Sequence, residues 1–281
     1  MRSRPYICSS YTISGTMPGG AVASRHGFAE RVAACAEAGY AGMCLHFRDY
    51  AEQRERGWRD EDMRAVLAAG RIDYLSIEFL IEWFMDGQAG ELARSNEEVA
   101  FQAARALGAR IIHVGPDLSD RRIAGPVMRL KFRELCERAA RYGLMVALEP
   151  VAWGNVRDID TALGIVDDIA NAGLVLDCWH FFRAGLALDE MKKIPMDRIL
   201  AVQINDADSV PVGALAVDTM NRKLCGQGSF ELDRFVATLD EMGVTVPLSI
   251  EIISTDMAGR SAAEAAALSL ASARNCLRGL G

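Results

Sequence analysis

Within residues 144–180, the stretches LMVALEP (Leu144–Pro150) and LVLDCWH (Leu174–His180) set the reading of this chain. Each is a short aliphatic run that closes on an acid, Glu149 or Asp177, and the pattern recurs in LAVQIND at Gln203 and in PLSIEII at Glu251. An isolated carboxylate at the end of a buried strand loses much of its solvation, so such a residue needs a partner. A shared divalent cation supplies one. Three carboxylates and one amide oxygen form a hard, oxygen-only set, which suits Mn²⁺ or Mg²⁺ better than a thiolate-seeking ion. The pattern therefore reads as a metal-dependent enzyme.

Working outward, β-rich runs alternate with longer amphipathic stretches along the whole chain. The strand candidates are Tyr6–Ser10, Gly42–His46, Tyr74–Glu78, Ile111–Gly115, Met145–Glu149, Leu174–Asp177, Ile199–Asn205 and Leu248–Ile252. Helical periodicity fills the intervals, as in Met128, Phe132, Leu135, Cys136 and Ala139 before Gly143, and Leu232, Phe235, Val236 and Leu239 before Gly243. Both end in a glycine C-cap signal. Ser95 with Glu98 and Ser261 with Glu264 have capping-box spacing, which predicts the starts of the third and eighth helices. Eight strand–helix units in 281 residues predict a single-domain (β/α)₈ TIM barrel over residues 1–281. A doubly wound open sheet is the alternative, but no GxGxxG follows the first strand.

The formal charge of −7 and pI near 5.3 argue against a surface that neutralises phosphates, and nucleic acid is not an expected partner. Seven cysteines (Cys8, Cys35, Cys44, Cys136, Cys178, Cys225 and Cys276) show no CxxC spacing, which reads as reduced thiols of a cytoplasmic protein. No apolar run approaches a membrane span, and the N-terminal residues lack a signal-peptide pattern. A small molecule is the expected partner, and self-association is left open.

In a barrel of this kind the site lies where the strands end at the C-terminal mouth. Besides the four residues named, His46 ends the second strand, Glu78 the third, and His113 lies within the fourth, so seven of the eight units carry a polar group near that rim. Asp177 could instead be a helix N-cap, and Gln203 a core amide satisfied by backbone. Glu78 reads as a substrate contact or as a partner of His113 or an arginine, whereas His46 and His26 read as structural. Trp153, Trp179, Phe181 and Phe182 cluster after the fifth and sixth strands; such aromatics are core by default, but Trp153 and Trp179 could wall the pocket. The interval from Gln203 to Glu251 holds a long loop, Asp206–Ser229, which is either a solvated insertion or a cover for the substrate. It carries Arg222, read as a substrate contact; Arg183 reads equally as a partner of a nearby acid.

LEP at Glu149, LDCWH at Asp177 and His180, VQIND at Gln203 and SIE at Glu251 resemble the metal-ligand pattern of the xylose-isomerase-like barrel superfamily of sugar phosphate isomerases and epimerases. The resemblance covers nearly the whole chain in strand order. RKLCGQG is similar to a degenerate form of that family's R-x-LPGEG segment, with Cys225 and Gln227 in place of Pro and Glu. The resemblance implies that Glu149, Asp177, Gln203 and Glu251 hold one divalent ion, Mn²⁺ first and Mg²⁺, Co²⁺ or Zn²⁺ as alternatives. It implies that His180 touches a substrate oxygen and that Glu149 and Glu251 form the acid/base pair. His113, Arg222, Glu78 and Trp153 are the expected substrate contacts. The implied reaction is isomerisation or epimerisation of a sugar or keto-polyol through an enediolate; a dehydratase or lyase on a cyclic keto-polyol, inosose- or dehydroshikimate-like, is the alternative. An endonuclease IV-type repair enzyme, which needs a histidine-rich trinuclear zinc site, is disfavoured by a chain with only four histidines. A non-catalytic barrel that keeps the ligands by descent is the remaining reading.

Overall fold

Eight parallel strands close on themselves in the computed structural model, which describes residues 4–20, 24–119, 121 and 123–280. The strands are β1 (Tyr6–Cys8), β2 (Gly42–His46), β3 (Tyr74–Leu80), β4 (Ile111–Val114), β5 (Met145–Leu148), β6 (Ala172–Asp177), β7 (Ile199–Ile204) and β8 (Leu248–Ile250). Each pairs with its neighbours in sequence, and β1 pairs with β8 through Tyr6 to Leu248 and Cys8 to Ile250. A closed ring excludes the open doubly wound sheet; this is a TIM barrel. Strand limits differ from the sequence reading by a few residues: β3 runs on to Leu80, and Glu149 and Glu251 stand one residue beyond β5 and β8.

The strands are apolar on both faces because helices cover the outside while the inside is filled by side chains. All six residues of β6 are buried. Inward positions are recognised by contacts across the barrel: the Ser76 hydroxyl lies 3.0 Å from Cys44 Sγ, and Cys44 Sγ lies 3.6 Å from Ser249 Oγ. Side chains alternate with period two along a strand, so the next inward positions toward the C-terminal mouth are His46, Glu78 and Glu251. The small residues below, Cys, Ser and Ser, leave room for the polar layer above them. In β6 and β7 the same parity brings Asp177 and Gln203 into register with each other.

Around the ring the helices bury the apolar faces that the sequence periodicity marked. Met128, Phe132, Leu135, Cys136 and Ala139 of helix Gly125–Ala140 are all buried, as are Leu232, Phe235, Val236 and Leu239 of helix Leu232–Glu241. The chain leaves these helices through Gly143 and Gly243, both with positive φ (72° and 74°), a conformation that β-carbon sterics disfavour in other residues. The capping box at Ser261 is formed: the Ser261 hydroxyl accepts the Glu264 N–H and Glu264 accepts the Ser261 N–H. The one expected at Ser95 is not. Ser95 lies inside a 21-residue helix, Gly87–Leu107, that begins two turns earlier, and Glu98 accepts instead from Gln102 Nε2 and the Tyr142 hydroxyl. Among the described residues no helix is long and apolar enough to cross a membrane.

Candidate active site at the C-terminal mouth

Asp177 performs two tasks with its two oxygens. Oδ1 accepts the Trp179 backbone N–H (2.9 Å), which caps the short helix Cys178–Arg183, and also accepts Asn205 Nδ2 (2.9 Å). Oδ2 receives Arg222 Nη1 at 2.6 Å. The helix-cap reading and the site reading therefore both hold, each for one oxygen. Asn205, which fixes the carboxylate, escaped the sequence reading although it lies two residues past Gln203 on the same strand parity.

Arg222 Nη1 also reaches Glu251 Oε2 at 2.9 Å, and its Nη2 donates to Thr219 Oγ1 at 3.1 Å. Glu251 Oε1 accepts the Ser9 hydroxyl at 2.8 Å. Burial pushes the Glu251 carboxyl above its ordinary range, and the Arg222 guanidinium works against that rise. Glu149 is pushed well up, by burial first and then by the charges of Glu251 and Asp177. Its Oε1 stands 3.5 Å from His180 Nε2, which is 3.8 Å from Asp177 Oδ2. His180 Nδ1 accepts the Ala152 N–H (3.4 Å), and burial lowers the ring to about 3. A neutral imidazole that accepts at Nδ1 carries its proton on Nε2, so His180 presents a donor to the two carboxylates.

Glu78 sits beside this group. Its Oε1 accepts the Ser10 N–H (3.1 Å) and the Ser9 hydroxyl (3.4 Å), so Ser9 bridges Glu78 and Glu251. Burial, helped by the charge of Glu251, pushes Glu78 up to about 8, and it holds a proton at neutral pH. His113 Nδ1 is 4.0 Å from Glu78 Oε2, and burial lowers that ring to about 4. Two neutral groups at that distance are neither an ion pair nor a hydrogen bond. Both His113 nitrogens and Gln203 Oε1 are buried without a partner among the described residues. Trp153 is half-buried, its ring 5.3 Å from that of His180 and 5.9 Å from that of Trp179, and so forms a wall of the mouth.

Arg222 reaches the acids because the segment between β7 and β8 is folded rather than a solvated insertion. Asp206 is its hub: Oδ1 accepts the Ala207 and Phe230 N–H groups, Oδ2 accepts that of Gly226, and its backbone pairs with Lys223. A β-carbon at Gly228 would run into the Ala207 carbonyl and the Asp206 carboxylate, so glycine permits this close approach. Within the segment, helix Leu215–Asp218 places Asp218 against Arg183 (2.7 Å), which assigns Arg183 to structure. His46 caps helix Phe47–Glu55 by accepting the Arg48 N–H, and His26 bonds the Arg260 carbonyl.

Seven of the nine residues singled out from the sequence, Glu78, Glu149, Trp153, Asp177, His180, Arg222 and Glu251, thus gather at the C-terminal mouth. Gln203 stands level with Ser249 inside the barrel, and His113 also lines a cavity at the N-terminal ends of the strands. Atoms of Glu149, Asp177 and His180 lie within 4.8 Å of one another, close enough for one cation. Arg222 ties Glu251 to the group, while Gln203 joins it by register with Asp177. Three buried carboxyl groups thus face one guanidinium among the described residues.

Comparison with known proteins agrees with this architecture. The chain is 33% identical over 136 residues to an inosose isomerase of Halalkalibacterium halodurans, covering 47% of this chain and 48% of that protein. It is 28% identical over 255 residues to a 3-dehydroshikimate dehydratase of Pseudomonas aeruginosa, covering 88% of this chain and 37% of the relative. The chain thus spans about half the length, or less, of these relatives. A crystal structure of an IolI protein with a bound zinc atom superposes with a TM-score of 0.84 at 20% identity, covering 98% of each chain. A D-allulose 3-epimerase of a Methylomonas species superposes at 0.72 and 17% identity over 97% of each chain; these two likenesses establish the fold. The family model described as the xylose isomerase-like TIM barrel matches residues 32–276, and the chain belongs to that family.

Proposed function

We propose that this chain is a divalent-metal-dependent enzyme that moves a proton at the carbon next to the carbonyl of a small sugar or keto-polyol, with isomerisation or epimerisation as the outcome. The observation that carries the reading is the buried acid cluster: ligand atoms of Glu149, Asp177 and His180 lie within 4.8 Å of one another, and Arg222 alone meets Asp177 and Glu251 as a cation among the described residues. The partnerless Gln203 Oε1 fits the same ion. Glu149, Asp177, Gln203 and Glu251 would hold it, Mn²⁺ first on the hardness of the donors, with Mg²⁺, Co²⁺ or Zn²⁺ as alternatives. Bound there, the cation supplies positive charge where negative charge grows on the carbonyl oxygen as the neighbouring C–H bond breaks.

The protein's own groups do the rest. Glu251, held by Ser9 and Arg222, takes the proton from carbon, and Glu149 returns one to the adjacent carbon or to the opposite face. His180 offers its Nε2–H to a substrate oxygen, and Trp153 packs on ring or chain carbons. His113 and Glu78 present further hydrogen-bonding groups to the substrate. The test is solvent exchange. Mn²⁺-loaded protein in D₂O, incubated with a ketohexose and an inosose, is expected to place deuterium at the carbon next to the carbonyl, with loss on chelation and recovery on Mn²⁺ addition. Absence of exchange in the loaded protein refutes the proposal.

Elimination is the second reading. His180 Nε2–H beside Glu149 forms a donor pair suited to a departing hydroxyl. Glu251 removes the α-proton, the C–H electrons form the double bond, and the β-hydroxyl leaves as water with the proton that Glu251 has just taken, while His180 steadies it by a hydrogen bond. The longer match to the dehydratase relative supports this outcome. A new enone absorbance with an inosose, or a new aromatic absorbance with a dehydroshikimate, distinguishes it.

A further inference from the structure

Beside the acid cluster, between the ends of β1, β2 and β3, lies a cavity of about 370 Å³. Ser10, Tyr11, His46, Arg48, Phe79 and Asn96 line it. It adjoins the site directly: Ser10 gives its N–H to Glu78, and the preceding Ser9 gives its hydroxyl to Glu251. A substrate whose carbonyl end lies at Glu251 has room here for its other end.

Several of the cavity's polar groups can donate hydrogen bonds. His46 accepts the Arg48 N–H at Nδ1 (3.2 Å), which leaves the proton of the neutral ring on Nε2 as a donor. Tyr11, Ser10 and Asn96 add hydroxyl and amide groups. The charges are lopsided. Asp49, which also lines the cavity, is neutralised by Arg31 at 2.6 Å and bonded by Gln53. Arg48, an exposed residue at the cavity's rim, has no acidic partner among the described residues, and its guanidinium lies 5.5 Å from the Phe47 ring. The net offer of this wall is one positive charge beside neutral groups able to donate hydrogen bonds.

We infer that the substrate carries an anionic group, a carboxylate, at the end remote from its carbonyl, and that Arg48 and His46 receive that group in this cavity. The inference rests on the proposed keto-polyol chemistry for the orientation of the substrate, but not for the anion subsite itself. A single guanidinium matches a monoanion better than a phosphate dianion, which usually draws several cations. Arginine presents two parallel N–H groups to a carboxylate, which a lysine cannot.

The test separates the subsite from the reaction. Quinate and its neutral carboxamide differ only in the charged group and are titrated calorimetrically into Mn²⁺-loaded protein. Quinate is expected to bind about 10- to 100-fold more tightly, the scale of one charge-assisted hydrogen-bonded contact. Arg48→Gln should abolish that preference, and Arg48→Lys should retain part of it. Equal affinities in the wild type, or a preference that survives Arg48→Gln, overturn the inference. A ketose phosphate that competes for the cavity more strongly than quinate also overturns the carboxylate assignment. If the acid preference is present and Arg48-dependent while no keto-polyol exchanges deuterium, the subsite stands and the proposed reaction fails. If neutral inosose exchanges deuterium and quinate shows no preference over its amide, the reverse holds.

Discussion

Replacing Arg222 by methionine tests the electrostatic logic of the site, because this one side chain is the positive partner of two buried acids. Arg222 is 3% exposed and contacts Asp177 Oδ2 at 2.6 Å and Glu251 Oε2 at 2.9 Å. Methionine keeps the length and apolar stem but removes the charge. Breaking a buried pair by deleting one partner costs about 3–5 kcal/mol. For a chain of 281 residues, an unfolding entropy of about 2.1 cal/mol/K per residue converts this to a fall in Tm of about 5–8 °C. That loss is expected in the metal-free protein at pH 7.5. At pH 5 it should shrink, since carboxyls whose proton affinity is already raised by burial can neutralise themselves. Mn²⁺ should restore much of the loss, because a cation among the same acids replaces the missing charge. Thermal unfolding of both proteins at two pH values, with and without Mn²⁺, gives every comparison needed. A metal-free loss under about 1 kcal/mol, within the range of a surface pair, refutes the counter-ion role. An equal loss with saturating Mn²⁺ refutes the shared site.

Three other outcomes are expected. Glu251→Gln should keep the fold and lose most turnover, since it removes one ligand charge and one member of the proton-carrying pair; near-wild-type deuterium exchange would place the chemistry elsewhere. Glu78 has a folded-state value near 8 against 4.5 ordinarily, so between those values the folded state binds more protons and the stability of the metal-free protein falls as pH rises. Glu78→Gln should flatten that slope in urea titrations from pH 4.5 to 8, and an unchanged slope contradicts the assignment. Gly228→Ala should displace the Asp206 hub and loosen the segment that delivers Arg222, seen as faster amide exchange at Gly226 and Phe230 and a weaker Mn²⁺ response; wild-type protection there would show that the turn accommodates a β-carbon.

The strands and the principal acids were legible because two local signals coincide there: an aliphatic run marks the strand, and the polar residue that closes it marks the mouth. Glu78 and Glu251 follow Ser76 and Ser249 by two residues, a parity that the sequence already contains. Ser9 and Asn205 obey the same rule, two residues past Ile7 and Gln203, and could have been found by extending the parity beyond the acids. The Ser95 helix start misled because S-x-x-E spacing marks an N-terminus only where the preceding chain is extended. Here the turn is set by the end of β3 at Leu80, a matter of sheet pairing rather than of neighbouring residues. The contact of Arg222 with acids 45 and 29 residues away depends on a folded loop, and local sequence holds no measure of that distance.

The distribution of unsatisfied groups separates a working site from a barrel that merely keeps its acids. Seven buried side-chain polar atoms lack partners among the described residues, and five of them belong to His113, Trp179, Gln203 and Arg222. Each such atom costs about 1–3 kcal/mol in a protein that uses it only for structure. Outside the site most buried polar groups are paired: the hydroxyls of Tyr40 and Ser269 meet at 2.7 Å, and buried Glu97 is bonded by Arg138, while one nitrogen each of Arg4 and Arg31 is left over. The greater number of unpaired donors and acceptors therefore falls on residues in or around the acid cluster. A polar ligand and a cation would satisfy these groups and the acids together, and this is the physical case for reading the mouth as a reaction site rather than as a structural end of the barrel.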